Sequence, residues 1–132
     1  MIFPATTALF AGLLALLYVG LSAWVMAGRT TKGTLQGDGD EDLHKRIRSH
    51  ANFAEYVPLA LVLLALLEAG GAGRTLVLAL CVVLLVGRVL HPIGMFAVPN
   101  TMRMFACRGG GILATMLVLA VAAVTLVLRH AG

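Results

Sequence analysis

The chain has 132 residues, of which 60% are hydrophobic and only 12% are charged, and its formal net charge is +4. Soluble domains carry about 25% charged residues, so this composition excludes an ordinary soluble domain and indicates an integral membrane protein. The length allows a single domain over residues 1–132, and no basic part with groove-reading or base-stacking elements is present, which excludes nucleic acid as a partner.

Four long apolar segments follow one another along the chain, and the mean hydropathy of the sequence is +0.96. They cover residues 3–26, 51–69, 75–95 and 111–128. Each approaches the roughly 20 residues that an α-helix needs to cross a bilayer core. The alternation that is typical of a membrane β-barrel is absent. The sequence therefore predicts an all-α integral membrane fold with four transmembrane helices.

The first segment resembles a signal peptide only in its position. No Lys or Arg precedes it, and its apolar stretch is too long for the core of a cleaved leader. Trp24 and Arg29 near its end have the character of a membrane boundary. We therefore expect a retained first helix.

Basic residues concentrate in the first and third connections between the predicted helices. These connections contain Arg29, Lys32, Lys45, Arg46, Arg48, Arg103 and Arg108. The opposite side has only Arg74 and Arg129. By the positive-inside rule, we predict that residues 28–48 and 97–108 are cytoplasmic and that both termini lie on the other side of the membrane.

Acidic residues gather just before the second helix, and we expect one of them to cap it. The four candidates are Asp38, Asp40, Glu41 and Asp42. They lack the ligand spacing of a calcium loop, and Cys81 and Cys107 lack the spacing of metal ligands. No metal site is predicted.

The second helix begins with a polar face that continues into the apolar segment. Arg48, Asn52 and Glu55 are spaced i, i+4 and i+7, which places them within an arc of roughly 60°. Further polar groups lie at the same end of the third and fourth helices: Arg88, His91, Arg103 and Arg108. Because charged groups near lipid are costly, this cluster indicates a functional site.

The residue types in this cluster suggest a small anionic ligand. Guanidinium groups bind carboxylates and phosphates, whereas Glu55 suits an amine. A zwitterion with more carboxylates than amines fits this set, and so does a lipid headgroup. Structural interpretations stay open for each member alone: the arginines suit headgroup anchors, and Glu55 suits an ion pair with Arg48 or Arg88.

At this point the chain resembles a known family. Arg48, Asn52, Glu55, Tyr56 and Pro58 are similar to the second-helix signature of the membrane-associated proteins in eicosanoid and glutathione metabolism (MAPEG). Two further segments resemble the end of the third helix and the start of the fourth in bacterial members: GRVLHPIGM at residues 87–95 and RGGGILAT at residues 108–115. With the four-helix pattern, the resemblance covers nearly the whole chain.

The resemblance implies a homotrimer of four-helix protomers in a bacterial inner membrane, in which glutathione is the co-substrate and no metal takes part. Glutathione would bind between neighbouring protomers, and a hydrophobic electrophile would arrive from the bilayer. The residues that match glutathione-binding positions are Arg48, Asn52, Glu55, Tyr56, Arg88, His91 and Arg29. Either Arg103, which fits best by spacing, or Arg108 would lie near the thiol.

The activity implied by the resemblance is that of a glutathione transferase or a glutathione-dependent peroxidase, which serves detoxification. The sequence departs from the eicosanoid enzymes at Met95, where they commonly have tyrosine, and at Ala51, where some members have a second arginine. Two other hypotheses therefore stay open, namely a non-enzymatic scaffold or lipid-binding protein, and a small four-helix transporter with Glu55 as its essential acid. Against the transporter, the polar groups cluster at one end rather than at the membrane midplane.

Overall fold

A computed structural model of the protein describes residues 2–131 as a bundle of four long helices. Their bounds are Ala5–Lys32 (α1), Glu41–Ala69 (α2), Arg74–Met95 (α3) and Met102–His130 (α4). Each is long and apolar enough to cross a membrane, so the predicted all-α class with four such helices is confirmed for the part of the chain that the structure describes.

Three of the helices extend well beyond the apolar segments that predict them. α1 continues to Lys32, α2 begins at Glu41, and α4 begins at Met102. Hydropathy detects only the part of a helix that suits lipid, whereas backbone hydrogen bonding continues into the aqueous layer, where polar side chains carry no desolvation cost. The polar ends of the bundle are therefore helical rather than loop.

The connection between α1 and α2 is held by charged side chains at both of its ends. α1 ends at Lys32, and Gly33 caps it with a φ of 64°, the left-handed conformation that is common after a helix. Asp40 accepts a 2.9 Å hydrogen bond from the Leu43 backbone N–H, which confirms that one of the four acids caps α2. The Lys32 ammonium, and then that backbone N–H, lower the pKa of the Asp40 carboxyl. We call this side of the bundle, with residues 33–40 and 96–101, the loop end.

The opposite side, which we call the hairpin end, contains the tight turn between α2 and α3 at residues 70–73. Here Glu68 accepts hydrogen bonds from the backbone N–H groups of Thr6 and Thr7 and from the Thr7 hydroxyl, at 2.8–2.9 Å. These donors belong to the first turn of α1, where backbone N–H groups have no partner within the helix. Glu68 therefore fastens the end of α2 to the start of α1.

The core of the bundle is apolar and draws on every helix. Leu14, Leu64, Leu84 and Val118 come from α1, α2, α3 and α4 in turn, and each has no exposed surface. The outward faces also carry large apolar side chains, which suits a surface covered by lipid.

A close helix contact joins α3 to α4 and depends on glycine. A Cβ atom on Gly111 would lie 2.6 Å from the carbonyl oxygen of Gly87, and one on Gly94 would overlap the backbone of Arg108. Near the latter contact, α4 changes from α-helix to a π-helical turn over Phe105–Gly109. Such turns insert a residue into a helix and are frequent at functional sites.

Candidate functional site

A cavity of about 460 Å³ lies between α2, α3 and α4 at the loop end. Its lining is mostly polar and consists of Glu41, His44, Lys45, Arg48, Asn52, His91, Met95, Arg108 and Ile112. Four of the residues that the sequence predicts for the site, Arg48, Asn52, His91 and Arg108, therefore meet at one surface.

Helical spacing explains how these side chains reach the same cavity. On α2, Glu41, Lys45, Arg48 and Asn52 follow one another at i, i+4, i+7 and i+11, so they form one stripe along the helix. α3 and α4 each contribute two residues that lie one turn apart. The polar stripe of α2 faces the end of α3, where the close glycine contacts bring α4 alongside.

Arg88 is fully enclosed behind this cavity, with only 2% of its surface exposed. Its Nη1 donates to Asn52 Oδ1 at 2.7 Å, and its Nη2 donates to the Gly111 carbonyl oxygen at 2.8 Å. The hydroxyl of Thr115 donates to the same carbonyl at 2.9 Å. One guanidinium thus joins α2, α3 and α4.

The charge of Arg88 is not neutralised by a carboxylate within the described residues. Its hydrogen-bond partners there are an amide and a carbonyl oxygen, and its Nε has no partner. A buried cation raises the electrostatic potential of the surface beside it, because low-dielectric surroundings screen it weakly. The potential of Arg88 therefore adds to that of the lining residues, and the cavity favours an anionic ligand.

Arg108 reaches the rim of the cavity through the contact between α3 and α4. The missing side chain of Gly94 lets the backbone at Arg108 lie directly against α3. The π-helical turn over Phe105–Gly109 contains Arg108 and sets its direction relative to the rest of α4. The side chain itself is exposed, so it is free to contact a ligand.

Glu55 and Tyr56 lie near the cavity but outside its lining. Arg48 Nη1 is 3.9 Å from Glu55 Oε1, and both side chains are about half exposed, at 48% and 49%. Of the two partners that the sequence allows for Glu55, the structure therefore selects Arg48, while Arg88 bonds to Asn52. Tyr56 is partly buried on the same helix.

Arg103 and Arg29 lie away from the cavity within the protomer. Arg103 lines a separate groove of about 420 Å³ between α1 and α3, whose other residues are Leu21, Trp24, Pro92, Ile93 and Phe96. Arg29 donates through Nη1 to three carbonyl oxygens of the loop that follows α1, the shortest at 2.9 Å to Gly37. The structure thus places Arg108 at the cavity and Arg103, which the spacing favours, away from it.

Three polar lining residues were not predicted as site residues: Glu41, His44 and Lys45. Lys45 forms a 2.6 Å ion pair with Glu41, and His44 Nδ1 lies 3.4 Å from Asp38. The sequence treats this stretch as a cap and a basic connection. Extending the stripe of Arg48 and Asn52 toward the start of α2 would have found Lys45 and Glu41, because α2 is already helical there. Within residues 2–131, no cluster of His, Cys, Asp and Glu could hold a metal ion.

Comparison with known proteins finds a family that the chain matches. The profile of the MAPEG family matches residues 7–128. The chain is 37% identical to "Inner membrane protein YecN" of Escherichia coli (strain K12) over 110 residues, which cover 83% of this chain and 80% of that protein. The protein of the same name from Escherichia coli O6:H1 gives the same values. No solved structure matches the chain.

Proposed function

Because the chain belongs to the MAPEG family of membrane proteins, we propose that it binds glutathione at the loop end and ionises its thiol for attack on a hydrophobic electrophile or a lipid hydroperoxide. The observation that carries the proposal is the single cavity that gathers Arg48, Asn52, His91 and Arg108. The proposed activity is that of a glutathione transferase or a glutathione-dependent peroxidase.

The cavity suits glutathione in size and charge. Its volume of about 460 Å³ lies within the roughly 300–1,000 Å³ of small-molecule sites. Glutathione carries two carboxylates and one ammonium at neutral pH. Lys45 is held by Glu41 at 2.6 Å, whereas Arg48 is a looser 3.9 Å from Glu55, so we assign Arg48 to a ligand carboxylate and keep Arg108 for the thiolate. Glu55, beside Arg48, is the proposed partner of the ammonium.

The remaining predicted residues have supporting roles in this proposal. His91 lies in the lining next to the anion, and Tyr56 lies one residue beyond Glu55 on α2. Arg88 acts from behind Asn52. Within its own protomer, Arg29 is away from the cavity and donates through Nη1 to the loop that follows α1. It would therefore contact glutathione only in the cavity of a neighbouring protomer.

The proposed chemistry needs one cation close to the sulfur. A free alkyl thiol has a pKa of about 8.5, so little thiolate exists at neutral pH. A guanidinium within a few ångströms favours the anion, and the exposed Arg108 at the cavity rim is the cation we assign to this task. The thiol proton passes to solvent. The sulfur lone pair then forms a C–S bond while the leaving group departs with its electron pair.

Reduction of a hydroperoxide uses the same thiolate. Sulfur attacks the terminal oxygen of the peroxide, the O–O bond breaks, and the alkoxide takes a proton to leave as an alcohol. The glutathione sulfenic acid so formed reacts with a second glutathione to give the disulfide and water. No metal and no covalent enzyme intermediate take part.

We place the hydrophobic co-substrate in the groove between α1 and α3. Its lining is apolar apart from Arg103, and it faces the space that lipid would fill. In the proposed homotrimer, the groove of one protomer would lie beside the cavity of the next, and Arg103 would then approach the thiol from across the boundary. We expect the loop end to face the cytoplasm of a bacterial cell from its inner membrane.

Titration of glutathione into the detergent-purified protein, followed by calorimetry and by ultraviolet absorbance, tests the proposal. We expect saturable heat together with the absorbance of a thiolate. S-Methylglutathione, which cannot ionise at sulfur, should give the heat without the absorbance. Absence of both signals would favour a scaffold or lipid-binding protein. Proton-coupled drug efflux from vesicles that is lost in Glu55→Gln would favour the transporter.

A further inference from the structure

The contact between Arg88 and Asn52 determines which way the Asn52 amide is turned. A guanidinium has only donors, whereas an amide side chain has one oxygen that accepts and one nitrogen that donates. The Asn52 atom 2.7 Å from Arg88 Nη1 must therefore be the oxygen. With the oxygen committed to Arg88, the NH2 group is the end of the amide that is left for the cavity.

Arg88 is held too firmly to follow a reversal of this amide. Its Nη2 donates to the carbonyl oxygen of Gly111 at 2.8 Å, and its surface is only 2% exposed. The helix that carries Gly111 is packed so closely against α3 that a Cβ atom on Gly111 would lie 2.6 Å from the carbonyl oxygen of Gly87. The fork of the guanidinium is thus fixed between α2 and α4.

We propose that Arg88 is a positioning residue that turns the Asn52 NH2 group toward the cavity, so that this part of the site accepts only an oxygen of the ligand. The inference rests on the proposed glutathione site and specifies its selectivity. At Asn52 the ligand presents a carbonyl or carboxylate oxygen, while its ammonium lies toward the carboxylate of Glu55.

The order of ligand affinity in two Asn52 variants tests the direction of this hydrogen bond. Asn52→Asp keeps the size of the side chain and an acceptor for Arg88 but replaces the NH2 donor with a second oxygen. Asn52→Ala removes both ends. We expect glutathione to bind about tenfold more weakly to Asn52→Ala than to wild type, and more weakly still to Asn52→Asp. Binding to Asn52→Asp as tight as to wild type would overturn the proposal.

Variants of Arg88 test whether it acts through Asn52. Arg88→Lys keeps one donor for the amide oxygen, whereas Arg88→Met keeps only the apolar volume. We expect Arg88→Lys to bind glutathione more tightly than Arg88→Met, and we expect Arg88→Met to have little further effect when Asn52 is already alanine. An equal loss in both backgrounds would show that Arg88 acts by another route.

A spectroscopic measurement separates this inference from the proposed function. If the wild type does not bind glutathione, the proposed function fails, but the orientation of the amide can still be measured. In the unliganded protein, the Asn52 side-chain NH2 resonances, assigned by their loss in Asn52→Asp, should be sharp in the wild type and in Arg88→Lys. They should broaden or shift in Arg88→Met. Identical resonances in all three proteins would overturn the inference.

Discussion

Gly94 of α3 lies against the main chain of Arg108 in α4, and a Cβ atom on Gly94 would overlap that backbone. This contact brings the main chain of Arg108 to the rim of the cavity. The contact lets the π-helical turn pack directly against α3, and it thereby sets the direction of Arg108, the cation that we assign to the thiol. Gly94 thus positions Arg108 because it has no side chain to hold the two helices apart.

The variant Gly94→Ala should separate Arg108 from the cavity. The added methyl group must displace the π-helical turn, which we expect to cost about 1–3 kcal/mol of stability and to lower turnover more than glutathione affinity. Gly110→Ala is the matched control, because nothing lies within 4 Å of a Cβ atom at Gly110. Thermal unfolding and steady-state kinetics measure both effects. Equal behaviour of the two variants would contradict the role of the contact.

Arg108→Gln should remove the cation that favours the thiolate. A nearby opposite charge lowers a pKa by about 1–3 units, so its loss should raise the pKa of the bound thiol. The rising limb of the turnover–pH profile should therefore move to higher pH by a similar amount, while glutathione binding changes less. Arg103→Gln distinguishes the two candidates: a larger shift there would transfer the role to Arg103.

Arg74→Gln serves as the control for net charge in that experiment. Arg74 is exposed at the start of α3, at the hairpin end. Its loss should leave the pH profile unchanged. If all three variants shift the profile alike, the effect is one of overall charge, and no single guanidinium is near the sulfur.

The helices were predictable because the bilayer imposes a length on every spanning segment. The stripe of Arg48 and Asn52 was predictable because helical spacing is local. Which of Arg103 and Arg108 lines the cavity was not predictable, since that depends on the tertiary contact at Gly94 and on a π-helical turn that no periodicity indicates. The start of α2 at Glu41 was predictable from the acidic residues that can cap it, whereas hydropathy does not detect a helix outside lipid.

Some residues that share a helical face with the site residues do not line the cavity. Glu55 shares the face of Arg48 and lies 3.9 Å from it, yet it is about half exposed and is not part of the cavity lining. Helical spacing places two side chains on one arc, but the packing of the neighbouring helices decides which edge of that arc is covered. Arg88 shows the converse, because its burial and its bond to Asn52 follow only from the approach of α3 to α2.

Glu68→Ala should destabilise the bundle without changing the site. The variant removes the acceptor for Thr6 and Thr7 at the start of α1, and loss of a helix cap costs about 1 kcal/mol. We expect a lower midpoint of thermal unfolding, with glutathione affinity unchanged because the loop end is at the other side of the bundle. Glu68→Gln keeps one acceptor oxygen, so its unfolding midpoint should lie between those of the wild type and Glu68→Ala. An unchanged midpoint in Glu68→Ala would show that the hairpin end does not need this cap.

Ile93→Trp should block the proposed co-substrate groove while leaving the glutathione cavity intact. Ile93 lines the groove together with Leu21 and Arg103, and an indole there would fill the space that we assign to an apolar chain. The KM for a lipophilic electrophile should rise by about tenfold or more, since filling a hydrophobic pocket removes the binding energy of several methylenes. The calorimetric affinity for glutathione should not change. Leu113→Trp is the matched control, because Leu113 is 70% exposed on α4 and lines neither the groove nor the cavity. If Leu113→Trp raises the KM as much as Ile93→Trp, the electrophile enters elsewhere; if neither does, the groove between α1 and α3 is not its route.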